Sequence, residues 1–167
     1  MTAPTLFQID TGKSALISPC GRYRYRLERT WSDKPRACWI MLNPSTADAE
    51  HDDNTIRRVV DFTHGWCYGG LIVVNLFALR STSPAVLHDD PAAAIGPEND
   101  ARIIEAVEQC RRVVVAWGIH GPLARRDKQV LRLLKNRQLH CLGLTSGGHP
   151  RHPLFISGAT QLIPFPN

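Results

Sequence analysis

The sequence predicts an α/β fold: a three-layer α/β/α sandwich with a mainly parallel central sheet and an N-terminal β-hairpin. Two observations carry the prediction. Four segments, Trp39–Ser45, Leu71–Phe77, Val113–Gly118 and Leu142–Leu154, each end a short apolar run in polar punctuation, and helical patterns separate them. Apolar runs of that length alternating with helices read as buried parallel strands. The punctuation is itself informative, because open α/β sheets bind ligands just beyond the carboxyl ends of their strands. Here those ends carry Asn43, Asn75, Trp117-Gly118 and a His/Pro cluster.

The elements follow in order. Residues 13 to 31 alternate around Pro19-Cys20-Gly21, which marks a hairpin on the edge of the main sheet. Alternation turns Tyr23, Tyr25 and Leu27 inward and Arg22, Arg24 and Arg26 toward water. Gly12-Lys13-Ser14 lacks the upstream glycine and strand of a phosphate loop. Asp52-Asp53-Asn54-Thr55 caps a helix whose Ile56, Val59, Val60 and Phe62 fall at helical spacing, and Gly65 ends it. Residues 81 to 97 hold three prolines and no periodicity, so they form a loop or lid. Helices are expected over about 98–110, with Ile103, Ile104 and Val107 on one face, and about 120–136, with Val130, Leu131, Leu133 and Leu134. No repeat or linker divides residues 1–167, so a single domain is expected.

Composition narrows the class. The chain has 167 residues, 43% hydrophobic and 21% charged, which is ordinary for a globular domain able to bury its own core. No apolar run approaches the roughly 20 residues that span a bilayer, and the N-terminal residues lack a secretory pattern, so a cytoplasmic protein is expected. The five cysteines are scattered with no Cys-x-x-Cys pair; neither a disulfide framework nor a metal site is expected, and no cofactor is called for. Cys38 and Cys141 flank strands as small buried hydrophobes. A net charge of +5 favours an anionic partner, nucleic acid or nucleotide. Arg125, Arg126 and Lys128 on the last helix, with Arg151, are the candidate contacts to a nucleic-acid backbone. No membrane partner is expected, and the chain reads as a monomer.

Candidate chemistry lies at the strand ends. Pro44 holds Asn43 extended, so its amide projects past the sheet, although Asn also caps turns. Asn75 interrupts an apolar strand, and a buried amide without partners costs about 1–3 kcal/mol. A carboxamide offers a donor and an acceptor side by side, which suits a nucleobase edge. In the last segment Gly147 and Gly148 allow close approach to a ligand, prolines stiffen the loop, and His149 or His152 could donate to a developing anion. Trp66, Tyr68 and Phe77 could stack on a base, or belong to the core.

In order, the four segments resemble those of the uracil-DNA glycosylase superfamily, with its Gly-x-Asn-Pro turn, its asparagine-terminated strand, a Trp-Gly strand and a His-Pro-Ser-Pro-Leu closing loop. From the Arg22–Arg26 hairpin to His152-Pro153-Leu154 the chain is also similar to an uncharacterised bacterial domain-of-unknown-function family, number 1643. The glycosylase likeness implies a water-positioning place for Asn43 in its turn with Pro44 and Ser45, a base-reading place for Asn75, and a base-steadying place for His149. Leu154 matches the wedge that enters a base stack. Phe77, Trp117, Gly118 and Gly148 complete the implied base pocket. Two departures matter. The turn carries Asn where the fastest members carry Asp, and one extra residue in the closing loop lets His152 compete with His149, whose His-Pro step favours it slightly.

The expected function is recognition of a nucleobase in nucleic acid or a nucleotide, with hydrolysis of the base–sugar N-glycosidic bond. That reaction builds an oxocarbenium-like sugar and an anionic base, so it needs an oriented water, a proton acceptor and donors toward the base. Asn43 orients water but cannot take its proton. Asp48, Asp52 or Asp53 could, with Asp53 the candidate catalytic residue. The alternatives are a non-catalytic nucleic-acid-binding module, or a hydrolase of a small nucleoside or phosphorylated metabolite using Asp52 and Asp53 with a metal.

Overall fold

Alternation around the Pro-Cys-Gly turn does produce a hairpin: β1 (Gly12–Ile17) pairs antiparallel with β2 (Arg24–Thr30). In the computed structural model, which describes residues 12–166, the first three apolar runs form β3 (Arg36–Met41), β4 (Gly70–Asn75) and β5 (Arg112–Val115), while β6 (Leu139–Cys141) ends just before the fourth segment, so Leu142–Leu154 is the loop that leaves the strand and not the strand itself. A short β7 (Ile163–Pro164), which the sequence pattern does not announce, pairs antiparallel with β6. The sheet runs β1-β2-β4-β3-β5-β6-β7. Three of its pairings are parallel and three antiparallel, so it is mixed rather than mainly parallel. The parallel pairings are confined to β3–β6, which are joined through α-helices; the hairpin flank turns back through short connections, and β7 returns antiparallel after the closing loop.

The helices are α1 (Asn54–Gly65), α2 (Pro91–Ile95), α3 (Asn99–Glu108) and α4 (Arg126–Leu133). Ile56, Val59 and Phe62 of α1 cover the face of the sheet made by Trp39, Met41, Leu71 and Val73. Ile103 and Val107 of α3, with Val130 of α4, cover the opposite face made by Cys38, Ile40, Ile72, Val74 and Val113. Burial on both sides is why these strands read as continuous apolar runs. The 81–97 segment carries a 3-10 turn at Pro84–His88 and α2. The last helix is shorter than its periodicity suggested. Gly121 lies flush on the Trp117 ring, where a Cβ would overlap the indole, and Pro122 follows. The chain then steps through Ala124 and Arg125, both at positive φ, before α4 begins. Among the described residues no helix is long and apolar enough to cross a membrane.

Connectivity places the site. From β3 the chain crosses through α1 to β4, then returns past β3 through α3 to β5 on its other side. Adjacent β3 and β5 therefore send their outgoing chains to opposite faces, and a crevice opens at such a switch point.

One irregularity in the hairpin has a large effect. Pairing is one-to-one from Gly12↔Thr30 to Leu16↔Arg26, but Ile17 then pairs with Arg24, leaving Tyr25 as an extra residue. A bulge of this kind breaks the two-residue alternation. Tyr25 and Leu27 are buried as expected, but Arg24 is buried too, with 2% of its surface exposed, and does not face water.

Candidate active site

A cavity of about 750 Å³ opens at the carboxyl ends of the strands, on the α1 side. Asn43, Asn75, Asp53, Ser45, Gly118 and His152 all line it. Asn75 ends β4 beside Met41 of β3, on the face that α1 covers. The Asn75 side chain is 2% exposed, and its Nδ2 meets no acceptor among the described residues. Its backbone is fixed from behind: Asn99, the first residue of α3, donates through Nδ2 to the carbonyls of Asn75 (2.9 Å) and Leu76 (3.0 Å). Arg126 donates to the same Leu76 carbonyl at 2.8 Å.

Asn43 has a divided role. Its Nδ2 donates to the carbonyls of Pro44 (3.1 Å) and Ser81 (2.9 Å), tying the β3 turn to the start of the 81–97 segment. Oδ1 of the same amide has no hydrogen-bond partner among the described residues. Pro44 itself is buried outside the cavity and contributes its carbonyl, which also accepts from Ser81 N–H at 2.9 Å.

The three candidate acids separate cleanly. Asp48 accepts from Glu50 and His51 N–H at 2.8 Å each, and those bonds hold its carboxyl down at about 2. Asp52 is taken by Arg29, whose Nε and Nη2 reach Oδ1 at 2.8 and 2.6 Å, so it neither caps α1 nor enters the cavity. Asp53 caps α1, accepting from Ile56 N–H at 2.9 Å through Oδ1, and lines the cavity. Arg29, itself buried, also holds the Asp48 carbonyl at 2.7 Å and so fixes the segment that presents Asp53.

The closing loop places its two histidines differently. Thr145 to His149 fold into a tight turn, with Thr145 N–H on the His149 carbonyl at 2.8 Å and His149 N–H on Thr145 Oγ1 at 3.1 Å. His149 and Gly148 sit on that turn, away from the cavity lining, against the expectation for both. His152 lines the cavity beside Gly118, whose φ of +72° is the left-handed conformation that glycine adopts without strain. Gly118 N–H donates to the Pro150 carbonyl at 2.9 Å. From α1, Arg58 reaches the carbonyls of Pro153 and Ile156. His152 Nδ1 accepts from Leu154 N–H at 3.3 Å, which leaves the proton on Nε2 as a donor. Burial lowers the His152 pKa, partly offset by the Asp53 charge.

Other expected residues fall elsewhere. Phe77 is fully buried in the core on the α3 side, because both Leu76 and Phe77 turn that way once the strand ends. Trp117 touches the cavity, but its ring is 2% exposed and stands edge-on to Phe165 in that same core. Trp66 stacks on Trp39 and Phe62, and the Tyr68 hydroxyl accepts from Arg112, both away from the cavity. Leu154 and Arg151 lie at the mouth. Arg125 and Lys128 are exposed and outside the lining, whereas Arg126 is buried, 1% exposed, and pairs with Asp100 at 2.5 Å. It is a clamp on the end of β4 and not a surface contact. Sequence reasoning missed Arg24, Thr55, Ser81, His120 and Phe155 in the lining. A signal existed for Phe155, next to the Leu154 that was singled out; the bulge that turns Arg24 inward leaves none. Phe155, 85% exposed, and Ile119, 63% exposed, make the rim apolar.

Among the described residues no group of three His, Cys, Asp or Glu side chains could hold a metal ion. Cys38, Cys110 and Cys141 are buried; Cys20 and Cys67 are exposed.

The site and its surroundings set an acid limit on stability. His140 in β6 accepts from Arg112 Nη1 at 2.6 Å through Nε2, while its Nδ1 has no partner among the described residues. Burial first, and the Arg112 charge second, lower its pKa. For His140 and His152 the folded state binds fewer protons than the unfolded chain, whose histidines titrate near 6.5. Stability is therefore complete above that value and falls as the pH drops below it. Thermal melts between pH 7.5 and 5 should show a falling Tm, flattened in His140→Gln; a pH-independent Tm over that range would contradict the assignment.

The model of one protein family, described as Protein of unknown function (DUF1643), matches residues 24–154. No curated protein and no solved structure matches the chain.

Proposed function

The chain belongs to the DUF1643 family, and from that starting point we propose that its cavity recognises a nucleobase and that the groups around it hydrolyse the base–sugar N-glycosidic bond. The observation that carries this reading is Asn75, a nearly fully buried amide at a strand end whose Nδ2 has no partner among the described residues. An amide in that condition destabilises the free protein unless a ligand supplies what it lacks. A nucleobase edge presents acceptor and donor at matching separation.

The remaining groups supply the steps. Asn43 Oδ1, its amide nitrogen held by Pro44 and Ser81, orients a water toward the anomeric carbon. Asp53 takes the water's proton through the oxygen not used in capping α1. The new bond runs from the water oxygen to the anomeric carbon, and the electron pair of the base–sugar bond leaves with the base. His152 Nε2–H donates to the base as that charge develops. The departed base acquires its proton from solvent. Of the alternatives, the paired-aspartate hydrolase has less support, since Asp52 is engaged by Arg29 and does not line the cavity.

The test is a panel of modified oligonucleotides and nucleosides, scored for binding and for free base, against wild type and Asn75→Ala. Wild type should bind one base class and release it. Asn75→Ala should weaken binding by about 5- to 150-fold, the equivalent of the 1–3 kcal/mol carried by one buried hydrogen-bonding group. It should not lower Tm, since the native amide nitrogen makes no bond to lose. Binding without release would favour the non-catalytic module; neither binding nor release from any member would end the reading.

A further inference from the structure

Three arginines are buried among the described residues, Arg24, Arg29 and Arg126, and two of them are neutralised in place. Arg29 pairs with Asp52 and Arg126 with Asp100. Arg24 has no carboxylate within ion-pair distance among the described residues. Its Nη1 donates to the Ala47 carbonyl at 2.6 Å, and its Nε, buried, meets no acceptor. The charges around it are Asp53 and, more weakly, Asp48, favourable, and Arg80 and Arg29, unfavourable. A guanidinium carries five donors, and burying such a charge unpaired is costly. The bulge at Tyr25 places this group in the wall of the cavity.

Cations outnumber carboxylates in the lining by two to one among the described residues. Arg151 is the second cation in the lining, and Asp53 is the only carboxylate there among the described residues. The first turn of the twelve-residue α1 opens onto it at Thr55, adding the positive end of a helix dipole. The volume of about 750 Å³ lies in the range of small-ligand sites and exceeds what a base alone would fill.

We propose that the ligand is a nucleoside phosphate, with a phosphate oxygen held by Arg24 while Asn75 reads the base. The assignment of the base rests on the function proposed above; the assignment of the anion does not, and rests on Arg24 with Arg151 and the first turn of α1 beside it. A guanidinium fork matches phosphate geometry, so Lys in its place keeps the charge and loses the two-point contact.

Calorimetric titration of the whole chain with inorganic phosphate, a nucleoside, its 5′-monophosphate and a single-stranded oligonucleotide tests this, using wild type, Arg24→Gln and Arg24→Lys, with Tm recorded for each. The monophosphate should bind wild type at least tenfold more tightly than the nucleoside. That ratio should fall below twofold in Arg24→Gln and lie between the two in Arg24→Lys. If the oligonucleotide binds as tightly as the monomer, with the same loss in Arg24→Gln, the phosphate belongs to a strand; if only the monomer does, it belongs to a free nucleotide. Equal affinity of wild type for nucleoside and monophosphate overturns the proposal and leaves base recognition intact. The opposite pattern, in which phosphate and every monophosphate bind alike through Arg24 and no nucleoside binds, supports the anion site and overturns base recognition. Should Arg24→Gln unfold through loss of the Ala47 contact, the wild-type comparison and Arg24→Lys still decide.

Discussion

Asp53→Asn is expected to lower the rate of base release by about 10²–10⁴-fold, the range for loss of a general base, with little change in Tm or ligand affinity. The substitution isolates chemistry from architecture because the residue does two things. Through Oδ1 it caps α1 on Ile56 N–H, and Asn is as good an N-cap as Asp. Asn cannot accept a proton from water. The cost should therefore appear in kcat, while KM stays within a few-fold. Single-turnover assays with wild type and Asp53→Asn, beside thermal melts, make the comparison. A variant that released base at the wild-type rate would remove Asp53 from the mechanism, and a large fall in Tm would mean that the loss was structural. Asp48→Asn is the control, since Asp48 is held by the Glu50 and His51 amides and lies outside the cavity lining.

Arg126→Ala is expected to destabilise the fold by about 2–3 kcal/mol, below the 3–5 typical of breaking a buried ion pair because Asp100 is half exposed. The side chain joins α4 to the end of β4 through the Leu76 carbonyl and to α3 through Asp100. Its removal strips one donor from a buried carbonyl and empties the space its stem fills. In a domain of this size that corresponds to a Tm lower by roughly 5–10 °C. Arg125→Ala and Lys128→Ala, exposed on the same stretch, should each stay within about 0.5 kcal/mol. Urea titrations of the three variants measure this directly. A near-neutral Arg126→Ala would show that Asn99 alone suffices to hold the strand end behind Asn75.

How far each element could be read depended on whether its cause is local. Strands β3, β4 and β5 and helix α1 were legible because their apolar residues are covered on both faces or on one helical stripe, and that burial writes a period into the sequence; β6, three residues with His140 at its centre, is too short and too polar to write one, and the apolar start of the loop after it was read in its place. Asn43 and Asn75 were legible for the same reason: polar residues that interrupt or follow an apolar run stand at its end. Asp53 was legible as a helix cap, ahead of the apolar stripe of α1. His152 was harder. Sequence spacing leaves two histidines three apart, and only the turn closed by Thr145 decides that His149 stays back while His152 reaches the cavity. Arg24 and Arg126 were misread in one direction. Long basic side chains are usually solvated, and each is inverted by something no local pattern records, a one-residue bulge in one case and a displaced helix start in the other. Phe77 failed because alternation stops mattering once the strand has ended. The shortness of β7 and its pairing to β6 leave no periodic trace at all.

The anchoring of the closing loop bears on how fast and how tightly a ligand can be captured. Gly118 ties it to β5 and Arg58 ties it to α1 at two carbonyls, so the wall that carries His152 is in place before anything binds. Ordering a loop on binding subtracts conformational entropy from affinity, and gating by a lid slows association. A pre-built wall avoids both. Capture should follow a single second-order phase whose rate rises linearly with ligand concentration, without the plateau that a slow closure step imposes. Amide exchange at Gly118 should be as protected in the free protein as in the complex.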